Sequence, residues 1–114
     1  MTAENQPLEV PVGDTLVFYL PVTSDGEDVP LDGAQVQWWL GRKANSHGAD
    51  VVLKKSIGNG ITVDGSTATV TLTATDTRAF KPGFLYHQAK VIFANGVEKT
   101  TTTGPFEFKP AMGA

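Results

Sequence analysis

The sequence predicts an all-β fold, a two-sheet antiparallel sandwich of seven to nine short strands with one short helical turn. Three observations point there. Residues 67–73 alternate Ala68, Val70 and Leu72 with four threonines, the pattern of a strand with one buried and one solvated face. Asp64-Gly65 and Asn95-Gly96 are dipeptides that favour tight hairpins. No stretch shows the apolar periodicity of a long amphipathic helix. At 114 residues the chain has enough material for one two-layer core without metals or disulfides.

The elements follow in order. Residues 1–7 read as a flexible N-terminal arm, residues 8–110 as the sandwich domain and residues 111–114 as a tail. Leu8, Val10 and Val12 alternate with Glu9 and Pro11, which suits an edge strand because proline has no ladder donor. Leu16, Val17, Phe18, Tyr19 and Leu20 form a β-rich run between Gly13 and Pro21, a buried second strand. Residues 24–33 are turn-forming by composition. In the third strand, residues 34–42, a period of two places Val36, Trp38 and Leu40 inward and Gln35, Gln37 and Trp39 outward. Residues 43–50 read as a loop. A strand over residues 51–56, a break at Gly58-Asn59-Gly60 and a short strand through Ile61 and Val63 lead to the Asp64-Gly65 hairpin.

Beyond the threonine-rich strand, Thr75 is expected to cap one helical turn that Lys81-Pro82-Gly83 ends. The next strand, residues 85–93, directs Leu85, His87, Ala89, Val91 and Phe93 inward and Tyr86, Gln88, Lys90 and Ile92 outward. Asn95-Gly96 is expected to form a type I′ turn, after which residues 97–103 return as a strand. Gly104-Pro105 is then expected to bend the chain into a last short edge segment, residues 106–108.

Composition narrows the function classes. A net charge of −3, with the nine Lys and Arg residues scattered, gives no basic footprint for nucleic acid. The absence of cysteine excludes a disulfide framework and thiolate chemistry and fits synthesis in a reducing cytoplasm. The N-terminus lacks the basic and apolar regions of a signal peptide, and no apolar run approaches the roughly 18 residues of a membrane span, so the chain is expected to be soluble and away from membranes.

Few residues are candidates for chemistry. Asp25, Glu27, Asp28 and Asp32 gather oxygen ligands in one loop but match no EF-hand spacing, and a solvated turn accounts for them. His47 and His87 are the only histidines, and neither has a neighbour of the right type at metal-ligand spacing. Ser46-His47 with Asp50 lacks the surroundings of a nucleophile elbow, and Gly58-Asn59-Gly60 lacks the downstream lysine of a phosphate loop. The expectation is no catalytic residue, no metal and no cofactor. Trp39, Tyr86 and Tyr19 are the aromatic residues expected to reach the surface, and Trp39, Tyr86 and His47 are the candidate interaction residues.

The succession Val36-x-Trp38-x-Leu40, Leu53-x-Lys55-Ser56, Gly60-Ile61, Ala68-x-Val70-x-Leu72, Asp76-Thr77, Pro82-Gly83, Val91, Asn95-Gly96 and Gly104 resembles small immunoglobulin-like β-sandwich modules of tailed bacteriophages, such as the N-terminal domain of baseplate upper proteins and tail-fibre-associated modules. Such modules place an aromatic residue two positions after Pro-Gly. Here Leu85 stands there and Tyr86 follows, which turns Tyr86 outward. The resemblance implies a noncatalytic virion module, made in the bacterial cytoplasm, that docks onto other tail or baseplate proteins or onto itself. A carbohydrate-binding or adhesion domain using Trp39, Tyr86 and the loop from Lys43 to Asp50 is the alternative.

Overall fold

The computed structural model describes residues 4–24, 27–43 and 51–110. Its elements are β1 (Glu4–Asn5), β2 (Leu8–Pro11), β3 (Leu16–Pro21), β4 (Thr23–Ser24), β5 (Glu27–Asp28), β6 (Gln35–Gly41), β7 (Val51–Ile57), β8 (Gly60–Asp64), β9 (Thr67–Leu72), α1 (Ala74–Arg78), β10 (Gly83–Ile92) and β11 (Glu98–Lys109). The fold is all-β. Eight strands are hydrogen-bonded in the order β1-β11-β10-β6-β7-β8-β9-β3, with β2 also on β11 and β4-β5 as a separate ribbon.

Two separately bonded sheets were expected, whereas the main ladder is continuous and curls nearly into a barrel. The joint is the short parallel pairing of β7 with β8, Ser56 beside Gly60 and Ile57 beside Ile61. Gly58 (φ +84°) and Gly60 (φ +92°) turn the chain there while the Ser56 and Gly58 amides donate to the Asn59 and Ile61 carbonyls, so the corner keeps its hydrogen bonds. Beyond it, the antiparallel β8–β9–β3 segment folds back over β6 and β10. Phe18 of β3 meets Trp38 of β6 edge-on, with ring centroids 5.3 Å apart.

Alternation builds the core as expected. Val36, Trp38 and Leu40 are buried, as are Ala68, Val70 and Leu72, and His87, Ala89 and Val91; Leu85 and Phe93 are half-buried at the ends of their row. Trp38, Phe106, Phe108, Leu20 and Leu40 are the largest fully buried side chains, each stabilising the fold by roughly 1.5–3 kcal/mol through removal of apolar surface from water.

Four local expectations are corrected. The helix cap is Thr73: its hydroxyl accepts from the Asp76 amide while the Asp76 carboxylate accepts from the Thr73 amide, a reciprocal box that Thr75, already inside the helix, cannot make. The turn after β10 spans residues 94–96. The Gly96 amide donates to the Phe93 carbonyl and the Phe93 amide to the Val97 carbonyl, so only the glycine (φ +88°) closes it, and the Asn95 side chain accepts from the Val97 amide instead. The segment expected as a turn from residue 24 carries part of the β4–β5 ribbon, which begins at Thr23, opposite Asp28.

The fourth correction concerns Gly104-Pro105, which stays inside β11 instead of bending it. Residues 106–108 therefore lie between β10 and β2 and not at an edge. The reason lies on the neighbouring strand. Glu4–Asn5, from the segment expected as an arm, run parallel to β11, with Asn5 opposite Thr103. Leu8 opposite Phe106 continues the same register. Gln6-Pro7 thus faces Gly104-Pro105, and the ladder breaks where Pro105 has no N–H to give the Gln6 carbonyl, which pairs with the His87 ring instead. A Cβ on Gly104 would lie 2.6 Å from the Gln6 carbonyl oxygen, so glycine is what permits this approach.

Candidate interaction surface

The outward residues of β10 carry the most exposed aromatic side chains of the β1–β11–β10–β6 side. Phe84 is 69% exposed and Tyr86 42% exposed. Register fixes their neighbours. Phe84 lies opposite Glu107 of β11, and Tyr86 lies between Pro105 of β11 and Gly41 of β6. Gly41 presents no side chain beside Tyr86. Trp39 is opposite Gln88, one diagonal step from Tyr86, a separation of about 7–8 Å that long aromatic side chains bridge. Trp39 is half-buried on this face.

Phe84 also borders a cleft whose walls are Pro7, Leu8 and Pro105 and whose rim holds Glu9 and Glu107. Those two carboxylates are direct cross-strand partners, an arrangement of like charges that costs energy. Lys109 offsets part of it by pairing with Glu9 at 3.1 Å. The result is an apolar strip with an acidic margin. Tyr19, 61% exposed, reaches the surface too, but on β3 across the fold.

His87 points the other way. It is 2% exposed, packed among Phe18, Trp38 and Phe106. The Trp38 indole N–H donates to its Nδ1 at 3.1 Å. An atom that accepts there carries no proton, so the proton sits on Nε2 and is donated to the Gln6 carbonyl oxygen 2.6 Å away. Burial pushes the His87 pKa below its usual 6.5, against an opposing pull from the Gln6 hydrogen bond. Both ring nitrogens are occupied by internal bonds, which tie the N-terminal strand to the core. This is the chemistry of a structural histidine.

Asp76 is the other shifted group. Burial raises its pKa, but the Lys55 ammonium at 2.9 Å and the Thr73 amide and hydroxyl outweigh that and hold it below 3.8. The Lys55 stem crosses Gly60, where a Cβ would come within 2.6 Å of it. Together these contacts pin α1 to the β7–β8 corner.

His47 and its loop lie outside the described residues, as does Asp25 of the acidic loop. Among the described residues no cluster of three His, Asp or Glu side chains is placed to hold a metal ion. Phe84 was missed in the sequence, although it shares strand parity with Tyr86; the strand begins at Gly83, two residues earlier than expected. Pro7, Glu9 and Glu107 carried no local signal, because only long-range register brings them to the cleft. No protein-family model matches the chain, and no curated protein matches it. The likeness to phage modules therefore rests on the residues quoted for it.

Proposed function

We propose that the protein is a non-enzymatic assembly module that works through protein–protein contacts on the outward face of β10. The observation that carries this reading is the pair Phe84 and Tyr86, large aromatics left in water on a regular strand beside an apolar cleft. Aromatic side chains of this kind dominate binding energy when a partner covers them. The acidic margin of Glu9 and Glu107 favours a partner that surrounds an apolar contact with basic groups.

An immunoglobulin-like sandwich is the finer description of the fold that we favour. It is supported by the packing of Phe18 on β3 against Trp38 on β6 and His87 on β10 across the core. A place in a phage tail or baseplate follows from the sequence resemblance alone, and with it a location in the virion. Co-expression with the products of adjoining genes tests the reading. A complex that co-elutes with the protein and is lost in the Phe84→Ala/Tyr86→Ala variant supports it; a complex indifferent to that change refutes it.

Carbohydrate binding is the second reading, favoured by Trp39 and Tyr86 standing on one face. Glycan-array binding that disappears on Trp39→Ala would replace the first reading with this one.

A further inference from the structure

The two ends of the sheet are built differently. At the β2 end, Pro7 and Pro11 remove ladder donors and Glu9 adds a charge, the devices that keep an edge from pairing with another chain. At the β3 end these devices are missing from Leu16, Val17, Phe18, Tyr19 and Leu20, and only Pro21 closes the strand. β3 pairs with β9 on one side, and among the described residues no strand is bonded to its other side.

The outward side chains around the middle of β3 are also uncharged. Val17, 48% exposed, lies beside Thr71, and Tyr19 beside Thr69, which is itself opposite Thr62 of β8. A protein of net charge −3 repels its own copies at long range, so a neutral edge is the place where two copies approach at least cost.

We propose that β3 pairs antiparallel with β3 of a second copy, about a two-fold axis at Phe18, to close a symmetric dimer. The sequence of the strand is complementary to itself in this register. Val17 of one copy stands opposite Tyr19 of the other, twice over, giving the aromatic and β-branched cross-strand pairs that stabilise sheets. Leu16 stands opposite Leu20 on the inward side. The alternative of β3 on β2 would propagate into a fibre, and the prolines at the β2 edge oppose it. This surface is separate from Phe84 and Tyr86, so it stands or falls independently of the assembly face.

Sedimentation velocity of the full chain over a dilution series is the test. A species of twice 12.1 kDa is expected, converted to monomer by Val17→Lys and by Tyr19→Lys, side chains that point away from the core, and unchanged by Phe84→Ala/Tyr86→Ala. Hydrogen exchange on the unmodified protein gives a readout that does not depend on the variants folding. The Val17 and Tyr19 amides, which face the open edge, lose protection on dilution while those of β10 do not. A monomer at every concentration, a dimer that survives both lysine substitutions, β3 exchange independent of dilution, or open-ended polymers would each overturn the proposal.

Discussion

Mild acid should weaken this fold through His87. The Trp38 N–H faces Nδ1 of His87, so a second proton on the ring would set two donors against each other and leave a charge among aromatic rings. The folded pKa is therefore below 6.5, while an unfolded chain titrates near that value. As pH falls through 6.5 the unfolded state takes up a proton that the folded state refuses, and stability drops until the folded pKa is reached. Above 6.5 both states are neutral and the effect vanishes. Between pH 7.5 and 5.5 the loss is at most about 1.4 kcal/mol, which for a chain of this size lowers Tm by about 6 °C. Asp76 contributes in a different window. Its folded pKa lies below 3.8, so its stabilisation is lost only in stronger acid. Calorimetry at both pH values on the parent and on His87→Gln provides the assay. Glutamine offers an amide donor and acceptor but does not titrate, so the variant should be less stable and lack the His87 part of the slope. Equal slopes in the two proteins would refute the assigned hydrogen bonds.

Other expectations follow from the same contacts. Gly104→Ala should cost about 1–3 kcal/mol in denaturant titration and speed amide exchange where β1 and β2 meet β11, because the new Cβ meets backbone rather than a movable side chain. Trp38→Ala should cost about 3–5 kcal/mol and Trp39→Ala only about 1 kcal/mol, and equal losses by equilibrium unfolding would contradict the facing of β6. Thr73→Ala should cost about 1 kcal/mol while Thr75→Ala stays within about 0.5 kcal/mol, since only Thr73 closes the capping box; thermal melts distinguish the two.

What could be read from the residues was mostly local. Period-two alternation placed Trp38, Val70, Ala89 and Val91 inward, because on a regular pleated strand parity sets which face a side chain takes. Asp64-Gly65 marked its hairpin one residue early: Asp64 is still in β8 and pairs with Thr67, so Gly65 and Ser66 are the two turn residues. The failures came where partners distant in sequence intervene. Gly104-Pro105 looks like a bend until Gln6-Pro7 is set against it; the Thr73 cap is a local exception, a threonine three residues before Asp76 that already spells the capping box. The candidate surface was half legible. Tyr86 and Trp39 showed their outward parity, whereas the cleft beside Phe84 depends on a parallel pairing between residues nearly a hundred positions apart.

The role proposed for the β10 face is tested most directly by hydroxyl-radical footprinting of the protein alone and in its co-expressed complex. Phe84 and Tyr86 should be oxidised readily in isolation, as their exposure requires, and become protected in the complex while Tyr19 keeps its reactivity towards that partner. Unchanged oxidation of Phe84 and Tyr86 in a complex that forms would contradict the assignment of this face.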